Sequence, residues 1–468
     1  MTRPASRSDH FPGWSRPHRT WMIVWLVVAA LVAPVAPSTA SALQGNSLVT
    51  NKILASDNDI WDWFGVGVAA AGDLIVAAAP GDEGGTGAAY VYSYKATSGL
   101  TEMKLTASDG APQDMFGGSD LTAFPAREGA VATDGTRVVV GAPGVADGAG
   151  AVYLFEPDES GGWAETKLTA SDATTHDHFG AAVDMDEDRI VVGAPGAHGA
   201  AIFTGAVYVF EPDGAGGWAE TKLEDAGTPE QSQLGFAVAT SGSMVVAASR
   251  WYGQVVAFEK TTTGTWTDEL LPKSGIAVDV YDGRVAIGGS SNEVYVLERD
   301  SGGTWLSSTI TTVDATPFDR FGTSLDLDGN RLLVGADRYD DGRGYDVGAA
   351  YQFVAGAPGV WTESRLTAYD GLQADSFGVS VAGSGDRIVV GAPFHDDSPV
   401  SIGGHDRRRT SGAVYVFEPG AADWTAPTAS HPYLTVVSPA GTAVPVTYQL
   451  AVVDNADPSA SASCDPQS

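Results

Sequence analysis

The chain has 468 residues, 58 of them glycine, with 43% hydrophobic side chains and one cysteine. That length exceeds one ordinary core, and a glycine-rich, apolar composition points to many short strands joined by turns rather than to helices or disorder. The 26 Lys+Arg against 58 Asp+Glu give a net charge of −32, which repels phosphate backbones and anionic lipid and argues against nucleic acid or a membrane surface as partner.

Residues 1–42 read as a signal peptide. Arg3, Arg7, Arg16 and Arg19 precede the apolar run WMIVWLVVAALVAPVA (21–36), and Ala40-Ser41-Ala42 offers the small side chains a signal peptidase accepts. The run is shorter than the ~20 residues a spanning helix needs, and no later segment is long enough, so no stable membrane span is expected after cleavage. Cleavage removes four arginines and one aspartate, which brings the net charge to −35. The lone Cys464 cannot close an internal disulfide, so an exported chain of this size must be held by packing or bound ions.

From residue 46 to about residue 425 one phrase recurs: an FG pair, an apolar strand ending VGAP, then GAVYVF, then W…KLTASD. Counted from the FG pair, seven copies begin at Phe64, Phe116, Phe179, Leu234, Ser274, Phe321 and Phe377, the fourth and fifth being worn. Each copy predicts four strands; in the third they are residues 181–185, 189–194, 205–211 and 218–223, with Asp-Gly, Gly-Asp and Gly-Gly hairpin turns recurring among the copies. Four antiparallel strands per unit, at a spacing of roughly 40 to 63 residues, make the expected fold an all-β, seven-bladed β-propeller over residues 43–425. Residues 46–57, NSLVTNKILASD, align with the fourth-strand phrase but have no first three strands before them, whereas Pro427 discourages a fourth strand in the last copy. Residues 47–55 are therefore expected to close the ring as the outer strand of blade seven.

The motifs FG…VGAPG…GAVYVF resemble FG-GAP repeats, the blades of integrin alpha subunits and of many exported microbial proteins. The resemblance implies the propeller but not an activity, since one fold hosts many functions. Phe64, Phe116, Phe179, Phe321 and Phe377 are expected between blades, and the glycines that follow them where a Cβ would clash. Integrin-type blades also hold Ca²⁺ in a D-x-D/N-x-D-G-x-x-D hairpin, so Ca²⁺ is the one cofactor the resemblance implies. Asp184, Asp186 and Asp188, and likewise Asp326, Asp328 and Asn330, place oxygen donors at alternate positions, in loops about three residues shorter than that pattern and without its last aspartate.

In a four-stranded meander the loop between strands two and three and the connector into the next blade share one face. On that face five copies show Asp-x4-Asp-x-Phe: Asp57 and Asp62, Asp109 and Asp114, Asp172 and Asp177, Asp314 and Asp319, Asp370 and Asp375. These carboxylates either fix turns by accepting backbone N–H bonds or bind cations. Further ligand-face candidates are His176, His178, His198, Asp340, Asp341, His395, Asp396, Asp397, His405, Arg407, Arg408 and Arg409. The histidines match no zinc spacing, and no nucleophile elbow, phosphate loop or Cys/His pair is present. The glycine-rich GDEGGTG (81–87) reads as a tight turn because no helix follows it.

Residues 426–468 change character. VPVTYQLAVVDNADPSASASCDP resembles the opening of a hyalin repeat, an Ig-like sandwich of adhesive extracellular proteins, and stops about halfway through such a module. The leading functional expectation is a secreted or cell-surface, non-enzymatic adhesion module that recognises an extracellular protein or glycan through its long-loop face. Two alternatives stay open: a metal-dependent hydrolase or lyase on polysaccharide or phosphoester, using His176, His178 and His395, and a structural envelope or matrix protein.

Overall fold

The computed structural model describes residues 48–95, 99–118, 130–198, 202–225, 227–289, 292–356, 360–396 and 410–419. The leader and the hyalin-like tail lie outside them. Among the described residues the chain forms seven four-stranded antiparallel sheets, six of them built from four consecutive strands. Blade three runs Ala182–Asp186, Arg189–Ala194, Ala206–Pro212 and Trp218–Leu223, within one or two residues of the sequence expectation. In blade seven, Val381–Ser384, Arg387–Ala392 and Ala413–Pro419 are completed by Leu48–Ile53, which pairs from Leu48 opposite Pro419 to Ile53 opposite Val414. The innermost strands touch their neighbours all the way round, so the ring is closed without a covalent link. This is the expected seven-bladed propeller.

The repeated phrase maps onto burial. Ile190 to Ala194 are buried along the second strand, where β-branched side chains fill both faces, while the outer strand WAETKL keeps one side to solvent. Phe179 is fully buried, its ring edge-on to Tyr208 at 5.3 Å and Phe210 at 5.9 Å, and it shares a core with Val152 and Leu154 of blade two. Its backbone bridges Gly150 of that blade, and Gly180 beside it has φ +88. A Cβ on Gly180 would lie 2.4 Å from the Ala151 carbonyl, so only glycine lets the two blades approach there. The worn fourth copy keeps the same plan with Leu234, fully buried and bridging Gly205.

Candidate binding face

The long-loop face is built by the paired aspartates. The first of each pair accepts the hydroxyl of the third-strand tyrosine of its own blade: Tyr90 on Asp57 (2.6 Å), Tyr153 on Asp109 (2.7 Å), Tyr208 on Asp172 (2.8 Å), Tyr351 on Asp314 (3.1 Å) and Tyr415 on Asp370 (2.7 Å). Its other oxygen takes a cation from the outer strand: Lys104 (2.7 Å), Lys167 (2.6 Å), Lys222 (2.8 Å), Arg365 and, across the ring closure, Lys52 (2.8 Å). Lys167 and Tyr153 hold the Asp109 carboxyl below the usual carboxylate range. Burial opposes the same effect at Asp172, where Lys222 and Tyr208 outweigh it. Burial, with Asp172 beside it, pushes the Tyr208 phenol far above its ordinary value, so it stays a donor.

The second aspartate fixes the connector. Asp62, Asp114, Asp177, Asp319 and Asp375 each accept the N–H three residues upstream, at 2.6, 2.8, 2.8, 2.6 and 2.7 Å. Their carbonyls in turn accept N–H bonds from the start of the next long loop, at Gly81, Gly144, Gly196, Arg338 and Phe394. The residues on either side adopt left-handed backbone in several copies, as at Trp61 and Trp63, Gln113 and Met115, His176 and His178, Gln231 and Gln233, and Ala374 and Ser376. Their N–H groups reach back to the preceding blade, for example His176 to Asp147, His178 to Gly148, Gln231 to Ile202 and Ala374 to Tyr345. Each of these connectors is thus bonded to the long loops on both sides, and non-glycine φ values above zero persist because the frame over-determines them.

This geometry sorts the candidates expected from the sequence. Asp172, Asp314 and Asp370 are engaged by tyrosine and lysine or arginine, and Asp177, Asp319 and Asp375 are buried at 4%, 4% and 2% exposure, so these six build the face rather than greet a ligand. His176 and His178 occupy the two left-handed positions that hold Trp61 and Trp63 in blade one; their rings stand 6.3 Å apart. His198 is exposed and packs on Phe203, centroids 4.8 Å apart. His395 is not a surface-loop residue: it is 2% exposed, with Nδ1 2.8 Å from Asp375 and Nε2 3.4 Å from the Lys52 ammonium. Burial raises the Asp375 carboxyl above its ordinary range, against the pull of His395. Asp340 is exposed, Asp341 pairs with Arg343 at 2.6 Å, and Asp396 is half-buried. Asp397, His405, Arg407, Arg408 and Arg409 lie outside the described residues.

The residues that the sequence reading passed over are the exposed aromatics. Trp61, Phe203, Trp251, Tyr252, Phe318, Tyr345 and Tyr369 are 38% to 84% exposed, and all lie in connectors or long loops. On the hairpin face the exposed aromatic among the described residues is Tyr281. No aromatic recurs in every blade at these positions, so the repeated phrase does not mark them. A groove of about 540 Å³ beside Trp61 is lined by Asp57, Asp59, Ile60, Asp62, Asp82, Glu83 and Lys104.

The hairpin carboxylates that the resemblance places in Ca²⁺ loops are each engaged by protein partners. Asp184 and Asp186 accept the N–H groups of Thr240 and Gly242 on blade four, both at 2.6 Å, while Asp188 turns the other way to Arg137 at 3.2 Å. Asp326 accepts the Gly383 N–H at 3.0 Å, Asp328 pairs with Arg331 at 3.3 Å, and Asn330 is exposed. Among the described residues no three His, Cys, Asp or Glu side chains converge as metal ligands do. Instead, carboxylates at one register position of blades three, five and six, Asp184, Asp279 and Asp326, tie each innermost strand to the next, with Asp279 accepting the Leu327 N–H. An innermost strand has an unpaired edge towards the axis, and these bonds satisfy it. Burial pushes Asp184 up to about 7 and Asp326 up to about 6, Arg331 opposing the latter; burial and then the charges of Asp326 and Asp184 raise Asp279.

Residues 49–92, 163–210, 306–353 and 361–417 match the FG-GAP repeat model. Those four segments carry FG-GAP repeats. Each matched segment runs from the outer strand of one blade through the third strand of the next, the same offset that closes the ring. No curated protein matches the chain. A solved structure, Saccharomyces cerevisiae Sqt1, is similar at 13% identity over 74% of this chain and 83% of that one, with a TM-score of 0.40. No helix among the described residues is long and apolar enough to cross a membrane.

Proposed function

We propose that the protein is an exported, non-enzymatic binding and adhesion module whose long-loop face recognises a protein or glycan outside the cell. The observation that carries this reading is the pairing of a hydrogen-bonded frame with seven exposed aromatic side chains on one face. A frame already ordered spares the ligand the cost of ordering loops, and exposed Trp and Tyr supply large contact area with few torsions to lose. Export rests on the leader, and cleavage after Ala42 would leave Leu43 as the first residue of the secreted chain. The hyalin-like tail adds an adhesive character to the same reading. The hydrolase alternative gains nothing from the geometry, because His395 is buried against Asp375 in blade seven and His176 and His178 stand in blade three.

The test is binding of the secreted protein to immobilised extracellular-matrix proteins and to a panel of polysaccharides, comparing Trp251→Ala/Tyr252→Ala/Phe318→Ala with the opposite-face variant Tyr281→Ala. A loss of tenfold or more confined to the triple variant is expected, since a few buried aromatics dominate such interfaces. Equal binding by all three proteins would remove the long-loop face from the function.

A further inference from the structure

We propose that the long-loop end of blade four holds a neutral, hydroxyl-rich sugar unit of a polysaccharide; this rests on the reading of the long-loop face as a binding surface and names its ligand class. Five blades close the root of the long loop with two fully buried alanines that face each other on strands two and three: Ala79 and Ala88, Ala142 and Ala151, Ala194 and Ala206, Ala336 and Ala349, Ala392 and Ala413. In blade four these positions hold Ser249 and Gln254, joined by the Ser249 N–H on the Gln254 carbonyl at 2.8 Å. Ser249 is 0% exposed, yet its hydroxyl meets no hydrogen-bond partner among the described residues. The same holds for the side-chain oxygens of Gln254 and of Gln233, whose neighbour Leu234 lies opposite Ser249 in the sheet. A buried polar atom without a partner costs stability, so three of them beside one loop, in place of alanines that cost none, point to a ligand that completes them.

The same blade drops the bonds that fill this end of its neighbours. Asp172, Tyr208 and Lys222 of blade three correspond to Gly227, Val256 and Leu270, the last two facing each other on strands three and four as Tyr208 and Lys222 do. The loop's Pro-Gly becomes Arg250 and Trp251. Trp251 and Tyr252 are 63% and 57% exposed; the Trp251 N–H donates to the Ser232 carbonyl at 3.4 Å, and the Arg250 guanidinium stands 4.8 Å from its ring. An exposed indole steadied on a guanidinium is a platform for the C–H face of a sugar ring. Hydrogen bonding selects the rest of the ligand. The glutamine oxygens accept and cannot donate, so the ligand must donate, which hydroxyls do and a carboxylate or sulfate does not. Both glutamines are half-buried, so rotation of their amides brings those oxygens within a ligand's reach. Residues 231–233 and 249–254 carry no carboxylate, and Arg250 is their one cation, so a lysine or arginine of a partner would meet repulsion there.

The test is affinity electrophoresis of the full-length protein through soluble β-glucan, mannan, galactan and xylan, with pectate and a lysine-rich peptide as charged probes. Retardation by at least one neutral polysaccharide is expected. Trp251→Ala, and separately Ser249→Ala/Gln254→Ala, should each weaken it about tenfold, whereas Trp61→Ala on the same face and Tyr281→Ala on the hairpin face should leave it unchanged. The double variant installs the alanine pair of the five other blades, so it keeps the fold if Trp251→Ala does not. Its melting temperature should rise, because two unpaired polar groups are removed; weaker binding by a more stable protein is a result that a merely structural role would not give. Unchanged binding by the double variant, or equal loss in Trp61→Ala, would overturn the blade-four site. Retardation by pectate or the peptide alone, or by none of the probes, would overturn the proposal as well. If the Trp251→Ala/Tyr252→Ala/Phe318→Ala protein has then lost binding to matrix proteins, the binding-face reading stands without it.

Discussion

Asp184→Asn should stabilise the propeller at alkaline pH and do little in acid. In the unfolded chain this carboxyl titrates near its ordinary value of 3.8, whereas burial beside the ring axis pushes it up to about 7 in the fold. A raised carboxylate favours the folded state in full below the unfolded value and loses that contribution as pH rises through the folded one. The interval corresponds to at most ~4 kcal/mol, and because Asp184 keeps part of its surface accessible the working figure is about 2 to 4 kcal/mol. With an unfolding entropy of roughly 0.8 kcal/mol/K for a chain of this size, that is a melting-temperature gain of roughly 2 to 5 °C at about pH 8, falling to near zero at about pH 4. The asparagine oxygen still accepts the Thr240 N–H bond, so the comparison isolates charge. Beyond burial, the charges of Asp186 and Asp326 raise Asp184 against the N–H bonds of Thr240 and Met185, so Asp326→Asn should move the wild-type transition to lower pH as well. Calorimetric melts of the two proteins across that range are the assay. Parallel pH profiles, or a lower melting temperature for Asp184→Asn at alkaline pH, would refute the reasoning.

Other substitutions test the packing and the frame. Phe179→Ala should cost about 3 to 5 kcal/mol in denaturant unfolding, while Phe179→Leu should cost less than ~1.5 kcal/mol, because blade four already fills the site with Leu234. Tyr208→Phe removes one charge-assisted bond and should cost about 1 to 2 kcal/mol. Asp172 is held low, so its contribution is present above the unfolded value and lost as pH falls through the folded one. In Tyr208→Phe that loss should begin at higher pH, which an NMR titration of the carboxyl would read. A chain beginning at residue 55 lacks the strand Leu48–Ile53 and leaves the edge of Ala413–Pro419 unpaired, so it should self-associate by light scattering where the full chain does not.

Most of the fold was legible because a repeat states its own register. Seven recurrences of one phrase gave the number of blades, the strands of the third copy fell within one or two residues of their expected bounds, and a fourth-strand phrase standing alone at residues 46–57 located the closure. The paired aspartates were visible but ambiguous, since carboxylates that fix a turn and carboxylates that hold an ion look alike in text. What separates them is the tyrosine of GAVYVF and the lysine of ETKL, more than thirty residues away in sequence and within 3.1 Å in space. The hairpin acids were ambiguous for a different reason. Alternate spacing suggested convergence, but along a strand alternate side chains share a face, and here that face meets the backbone edge of the next blade. His395 read as a loop histidine because nothing in its neighbourhood shows that Lys52, 343 positions away, covers it.

The division between what repeats and what does not then carries the functional argument. Phenylalanine, glycine, the aspartate pair, tyrosine and lysine recur in five blades because each of these makes the same bonds to its neighbours, and those bonds consume their polar groups. A ligand can meet only what is left over. That remainder is Trp61 at a left-handed position that holds Gln113 in blade two, and Trp251 with Tyr252 in a blade that has lost the aspartate pair, keeping its connector with Ser232 instead. In a propeller of this kind recognition is therefore written in the departures from the repeat, and a site such as that of blade four is found by asking which side chains the frame does not use.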